Sequence, residues 1–134
     1  MIQSIDHIGI AVKSLHDALP LYTDGLGMEE IVIEDVPSQK VRVAMIPVGN
    51  SRIELLEPTS SDSPIAKFIE KHGEGIHHIS LEVTDIEQHM AQLKDNNIQL
   101  TNDTPVPGAE GTIVTFLHPK STHGVLIELS QEQT

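Results

Sequence analysis

"GIHHISLEV", residues 75–83, decides how the rest of the chain is read. It alternates like a β-strand, and neighbours on a strand point to opposite faces, so His77 and His78 cannot share one task. The same frame occurs near the N-terminus as "SIDHIGIAV", residues 4–12, with Asp6 where the later copy has His77. His7 therefore aligns with His78, each followed by isoleucine and closing on a valine five positions later. A frame repeated across the chain signals two copies of one supersecondary unit.

The segments around each copy extend the repeat. After the first, Ser14 caps a helical pattern with Leu15, Leu19 and Tyr22 on one face; Pro20 inside it predicts a kink or a short helix. After the second, Thr84 opens a pattern with Ile86, Met90 and Leu93 in the same phase, and Glu87 completes a capping box. Strand patterns follow: "EEIVIEDV", "KVRVAMIPV" and "SRIELLEP" in the first half, then a weak "NIQL", "TIVTFLHP" and "GVLIELS" in the second. Between the halves Ser63 caps a helix with Pro64 at its first position and Gly73 as its stop. The expected fold class is α+β. It comprises a βαβββ module (1–60), a linker helix (61–73) and a second βαβββ module (74–130), within one domain spanning 1–134. Neither module has the apolar surface to close a core alone, so curved mixed sheets enclosing a shared cleft are expected.

Bulk properties narrow the partners. The 134 residues carry a formal charge of −12, which disfavours nucleic acid. There is no cysteine, so disulfides and thiolate metal sites are excluded. No basic apolar leader and no apolar run of spanning length stand in the sequence, so no membrane partner and a cytoplasmic location are expected.

The last strand of each half completes the pattern that carries chemistry. "RIELLE" (52–57) lines up with "LIELSQ" (126–131), which matches Glu54 with Glu128. Each half thus offers one histidine from its first strand and one glutamate from its last. Glu54 lies between Ile53 and Leu55, and Glu128 between Ile127 and Leu129, so both carboxylates face away from large apolar neighbours. A carboxylate inside a sheet-lined cleft is costly unless it is paired or metal-bound. Two imidazoles and two carboxylates suit a divalent Co, Mn, Ni, Fe or Zn ion, with positions left for a chelating substrate. His77 is read as structural, and His16, His72 and His89 as exposed helix residues. His118 and His123 flank a turn, and Glu57 and Glu82 are expected at the rim.

"DHIGIAV", "YTDGLGM", "IELLEP", "GIHHISLEV" and "FLHPKSTHGVLIEL" together resemble the vicinal oxygen chelate (glyoxalase/bleomycin resistance) superfamily and, within it, the methylmalonyl-CoA epimerases. The resemblance runs from about residue 4 to 130. It implies a glyoxalase-like fold and an isomerase that moves a proton at the α-carbon of methylmalonyl-CoA through a metal-stabilised enolate. Carried over by position, the metal ligands fall on His7, Glu54, His78 and Glu128; the second is glutamine in some members. Glu128 is implied as one acid/base group. A second, a glutamate on the third strand of some members, aligns with Val43 here. Lys120 and Ser121 in the "HPKST" turn are candidates for binding the acyl-CoA substrate, and the resemblance implies a homodimer. The same residues leave open a glyoxalase-type lyase or isomerase acting on a thiol hemithioacetal, a dioxygenase, or a ligand-binding protein that is not an enzyme.

Overall fold

The computed structural model describes residues 1–133. Backbone packing divides the chain into two compact units: His7–His77, and Met1–Asp6 together with the chain from His78 onward. Two strands, β1 (Ile2–Ala11) and β5 (Gly75–Val83), contribute to both.

The His7–His77 unit adds α1 (Leu15–Pro20), β2 (Val32–Val36), β3 (Val41–Val48), β4 (Ser51–Pro58) and α2 (Pro64–His72). Its strands lie in the order β2-β3-β4-β1. β2, β3 and β4 pair antiparallel, whereas β4 runs parallel to β1 with Gly9 opposite Glu54. The start of α1 is satisfied twice: the Ser14 hydroxyl accepts from Asp17 N (3.2 Å), and Glu57 Oε1 accepts from Leu15 N (2.8 Å). Glu57, expected at the rim, is thus a cap. Pro20 has no N–H to give, yet the helix does not break there. It widens through Leu21–Gly25, where Leu26 N–H donates to the Leu21 carbonyl five residues back (2.9 Å). Ser63 caps α2 by accepting from Ile65 N (3.1 Å), and Gly73 ends it at φ +80°, a conformation that costs glycine little.

Ile10, Ala44 and Ile46, and Ile53 and Leu55 lie on one face of three neighbouring strands, with Val12 just past the end of β1. They meet Leu15, Leu19 and Tyr22 in one apolar cluster on the α1 side of the sheet. Leu55 and Ile46 are fully buried, and each such side chain contributes about 2 kcal/mol of transfer free energy.

The second unit adds α3 (Ile86–Asp95), β6 (Val106–Pro107), β7 (Thr112–Leu117) and β8 (Ile127–Glu132), with strand order β1-β5-β8-β7-β6. Val83, Ile86, Met90, Leu117 and Leu129 form its core, with Leu81, Leu93 and Ile127 against them. Each half therefore gathers its own apolar cluster.

Two sequence expectations need correction in this unit. The cap of α3 is Asp85, not Thr84: its carboxylate accepts from Gln88 N (3.1 Å), which moves the helix start by one residue. "NIQL" is not a strand, and only Leu100 bridges to Leu117. Its backbone donors are committed elsewhere: Asn97 N to Lys94 O, Ile98 N to Leu93 O, and Gln99 N to the Ser121 hydroxyl. The edge position goes instead to Val106–Pro107, where a proline that cannot donate is tolerated. Gly108 follows it because a Cβ there would lie 2.7 Å from Thr112 Oγ1 and 2.8 Å from Val114 Cγ1. Among the described residues no helix is long and apolar enough to cross a membrane.

Candidate metal centre and active site

Strand parity places the four expected ligands. In the His7–His77 unit, Ile53 and Leu55 are committed to the α1 side, so Glu54 must project from the other face. His7 lies opposite Arg52 in the β1–β4 register and shares that face. The side chains meet: His7 Nδ1 is 3.3 Å from Glu54 Oε2, and Arg52 Nη2 donates to the same oxygen at 3.0 Å.

The second unit repeats the arrangement. Ile127 and Leu129 are committed to the α3 side, leaving Glu128 on the opposite face, where its register partners are Ser80 and Phe116. His78 Nε2 is 3.5 Å from Glu128 Oε1, and the Phe116 ring stands edge-on to the His78 ring at 5.8 Å. The Ser80 hydroxyl is fully buried beside them and finds no hydrogen-bond partner among the described residues.

All four side chains are deeply buried, at 5% exposure for His7, 4% for Glu54, 6% for His78 and 4% for Glu128. Buried carboxylates demand a compensating charge. Glu54 has Arg52, and Glu128 has His78. Imidazole nitrogen and carboxylate oxygen are donors that borderline and hard divalent cations accept, and the orphaned Ser80 hydroxyl marks a place where a further polar group can be received. The residues fit a divalent metal ion.

Other expectations fare differently. Lys120 is exposed on a single turn, Pro119–Ser121, capped by His118 Nδ1, which accepts from Lys120 N (3.1 Å). The Ser121 hydroxyl is engaged by Gln99 N at 3.0 Å, which ties two loops together. His77 packs edge-on against Phe68 at 5.0 Å, in keeping with a structural role. His89 is half-buried rather than exposed, and Glu82 is half-buried and accepts from the Ser4 hydroxyl (3.3 Å). Val43 is 2% exposed and brings no proton-transfer group to its place. A separate open pocket of about 480 Å³, lined by Lys13, Ser14, Asp17, Leu21, Tyr22 and Glu74 among others, contains none of the four ligand candidates. Arg52, Ser80 and Phe116 escaped sequence reasoning. Parity alone could have found the first two, since each stands two residues from a ligand candidate and so shares its face.

Residues 6–116 match the model of the Glyoxalase/Bleomycin resistance protein/Dioxygenase superfamily. The chain is 43% identical over 133 residues to the ethylmalonyl-CoA/methylmalonyl-CoA epimerase of Cereibacter sphaeroides, covering 98% of this chain and 99% of that one. A crystal structure of a hypothetical protein from Bacillus halodurans superposes with a TM-score of 0.93 at 52% identity, covering 97% of this chain and 94% of its own. A variant of the Streptomyces coelicolor methylmalonyl-CoA epimerase, in complex with 2-nitronate-propionyl-CoA, superposes with a TM-score of 0.95 at 38% identity, covering 100% and 97%. The α+β class read from the internal repeat, and the glyoxalase-like fold that the resemblance implies, are the fold of these relatives. The chain belongs to the glyoxalase/bleomycin resistance superfamily and, within it, to the methylmalonyl-CoA epimerase family.

Proposed function

We propose that this protein interconverts the two epimers of methylmalonyl-CoA by moving the α-proton, and that His7, Glu54, His78 and Glu128 share one divalent cation as its ligands. The observation that carries the reading is the buried histidine–glutamate pair made twice, once in each half, on the sheet face turned away from each half's helix-side core. A single such pair is common in proteins. Two at matched positions of a repeat, in a chain with these relatives, are not accounted for by packing.

The reaction needs a base for an α-proton that is only modestly acidic and a site that tolerates the charge left behind. The cation, when bound, supplies Lewis-acid polarisation of the substrate oxygens. The chain supplies the rest. Glu128 accepts the α-proton; its oxygen is oriented by His78, and Phe116 fixes the His78 ring from the edge. Arg52 offsets the charge of Glu54, which makes Glu54 a holding group rather than a proton acceptor. Burial excludes water from both pairs, so charge–charge interactions there are stronger than at the surface. Lys120, exposed on its turn, is the residue offered to a phosphate of the CoA moiety; Ser121 serves the fold through Gln99. Exposed Leu21, Leu26 and Ile76 are side chains that a second copy would cover in a homodimer.

Incubation of either epimer with the metal-loaded protein in heavy water tests the reading by nuclear magnetic resonance. Deuterium at the α-carbon and convergence of both epimers on one mixture are expected. Absence of exchange above the buffer rate with both epimers would reject it.

A further inference from the structure

A buried metal ligand acts through the charge it presents as well as through its donor atom, and the groups around it set that charge. We infer that Arg52 is a positioning residue that acts through Glu54, lowering the affinity for the cation and raising the Lewis acidity left to it. The inference rests on the metal-dependent epimerase reading above.

Three observations, all within the His7–His77 unit, carry it. The β1–β4 register sets Arg52 opposite His7, and Arg52 stands two residues before Glu54 on β4, so the three side chains share one face of the sheet. Arg52 Nη2 donates to Glu54 Oε2 at 3.0 Å, and His7 Nδ1 lies 3.3 Å from the same oxygen. The Arg52 side chain is 25% exposed and that of Glu54 only 5%, so a partly solvated guanidinium holds a carboxylate that water barely touches.

A charge-assisted hydrogen bond in this place does two things. It ties one carboxylate oxygen and so fixes how Glu54 is presented. It also sets a positive charge beside the anion where Coulomb interactions are stronger than in bulk water. Glu54 paired with Arg52 therefore meets a cation much as a neutral oxygen donor would. Such a ligand grips less tightly than a bare carboxylate. It also leaves more of the cation's charge for polarising substrate oxygens, where negative charge develops as the α-proton departs. In the second unit the repeat matches Arg52 with Leu126, two residues before Glu128, so a hydrocarbon stands where the first half has its guanidinium.

Calorimetric titration of the full chain with Co²⁺ tests this as a series in charge. A wild type that takes up no Co²⁺, or takes it up and converts neither epimer, would reject the reading above, independently of Arg52. Arg52→Met leaves Glu54 its full charge and should bind Co²⁺ about 10–100-fold more tightly than wild type. Glu54→Gln, which leaves the guanidinium without its anion, should bind more weakly. The double variant Arg52→Met with Glu54→Gln removes both charges and should return to within a few-fold of wild type. Arg52→Lys keeps the charge without the planar fork and should do the same. At saturating Co²⁺, Arg52→Met should lower kcat for epimer interconversion about tenfold. Arg52→Gln should show the same tighter binding and lower kcat, should Arg52→Met fold poorly. An arginine that merely supports the fold predicts looser binding when it is removed. Unchanged or weaker Co²⁺ binding in the neutral variants, or tighter binding with kcat undiminished, would overturn the assignment.

Discussion

The two halves of this chain make the same side-chain pair and surround it differently. In the His7–His77 unit the carboxylate of Glu54 is clasped by both His7 and Arg52 on a single oxygen. In the other unit Glu128 has His78 for its ion-pair partner, with a phenylalanine ring against the histidine and an unsatisfied serine hydroxyl alongside. A carboxylate neutralised by a guanidinium is a settled group. The proposed function assigns the proton transfer to the one set beside an imidazole. Under the proposed function the duplicated frame divides its labour, with Glu54 holding and Glu128 reacting.

That contrast predicts unequal responses to equal substitutions. Glu128→Gln should lower kcat/KM by about 10²–10⁴-fold while leaving the far-ultraviolet circular dichroism unchanged. Glu54→Gln keeps the shape of the side chain and its hydrogen bonds, and should cost only about 10–100-fold, chiefly through weaker metal retention. Equal losses in the two variants would break the comparison. The cores, by contrast, should respond alike. Leu55→Ala and Leu129→Ala each empty a buried position in one apolar cluster, and each should cost about 2–5 kcal/mol in denaturant unfolding. The caps sharpen the parallel further: Ser14→Ala and Asp85→Ala should each cost about 1 kcal/mol.

The smallest effect lies in the first half alone. Lys40 and then Ser60, by hydrogen bonds, hold the exposed Asp62 carboxyl down to about 2, from an ordinary 3.8. A lowered carboxyl stabilises above its ordinary value and loses that contribution as pH falls through about 2. Asp62→Asn should therefore shift the melting temperature slightly near neutral pH and not at all below pH 2, with even the neutral-pH shift fading in salt.

Much of this was written in the sequence because the repeat made each half a check on the other. His7 and Glu54 alone are unremarkable, but His78 and Glu128 at matched positions turned parity into an argument, and both pairs form. Where the sequence misled, a local competitor had won. Asp85, with a charged acceptor, displaced Thr84 as the cap of α3. The backbone of "NIQL" was drawn to the end of α3 and to Ser121, so the edge strand formed further on. Pro20 was absorbed by a widened turn because Leu26 could reach the Leu21 carbonyl. Arg52 was passed over because an arginine on an alternating strand reads as its solvent face, although it stands two residues from Glu54 and shares its face.

Counting bound cations tests the central claim most directly. Equilibrium dialysis against Co²⁺, read by atomic absorption, should give one ion per wild-type chain and essentially none for either His7→Ala or His78→Ala, because both halves contribute to a single coordination sphere. Two ions per wild-type chain, with each substitution losing only one of them, would contradict the account, because the pairs would then be separate sites.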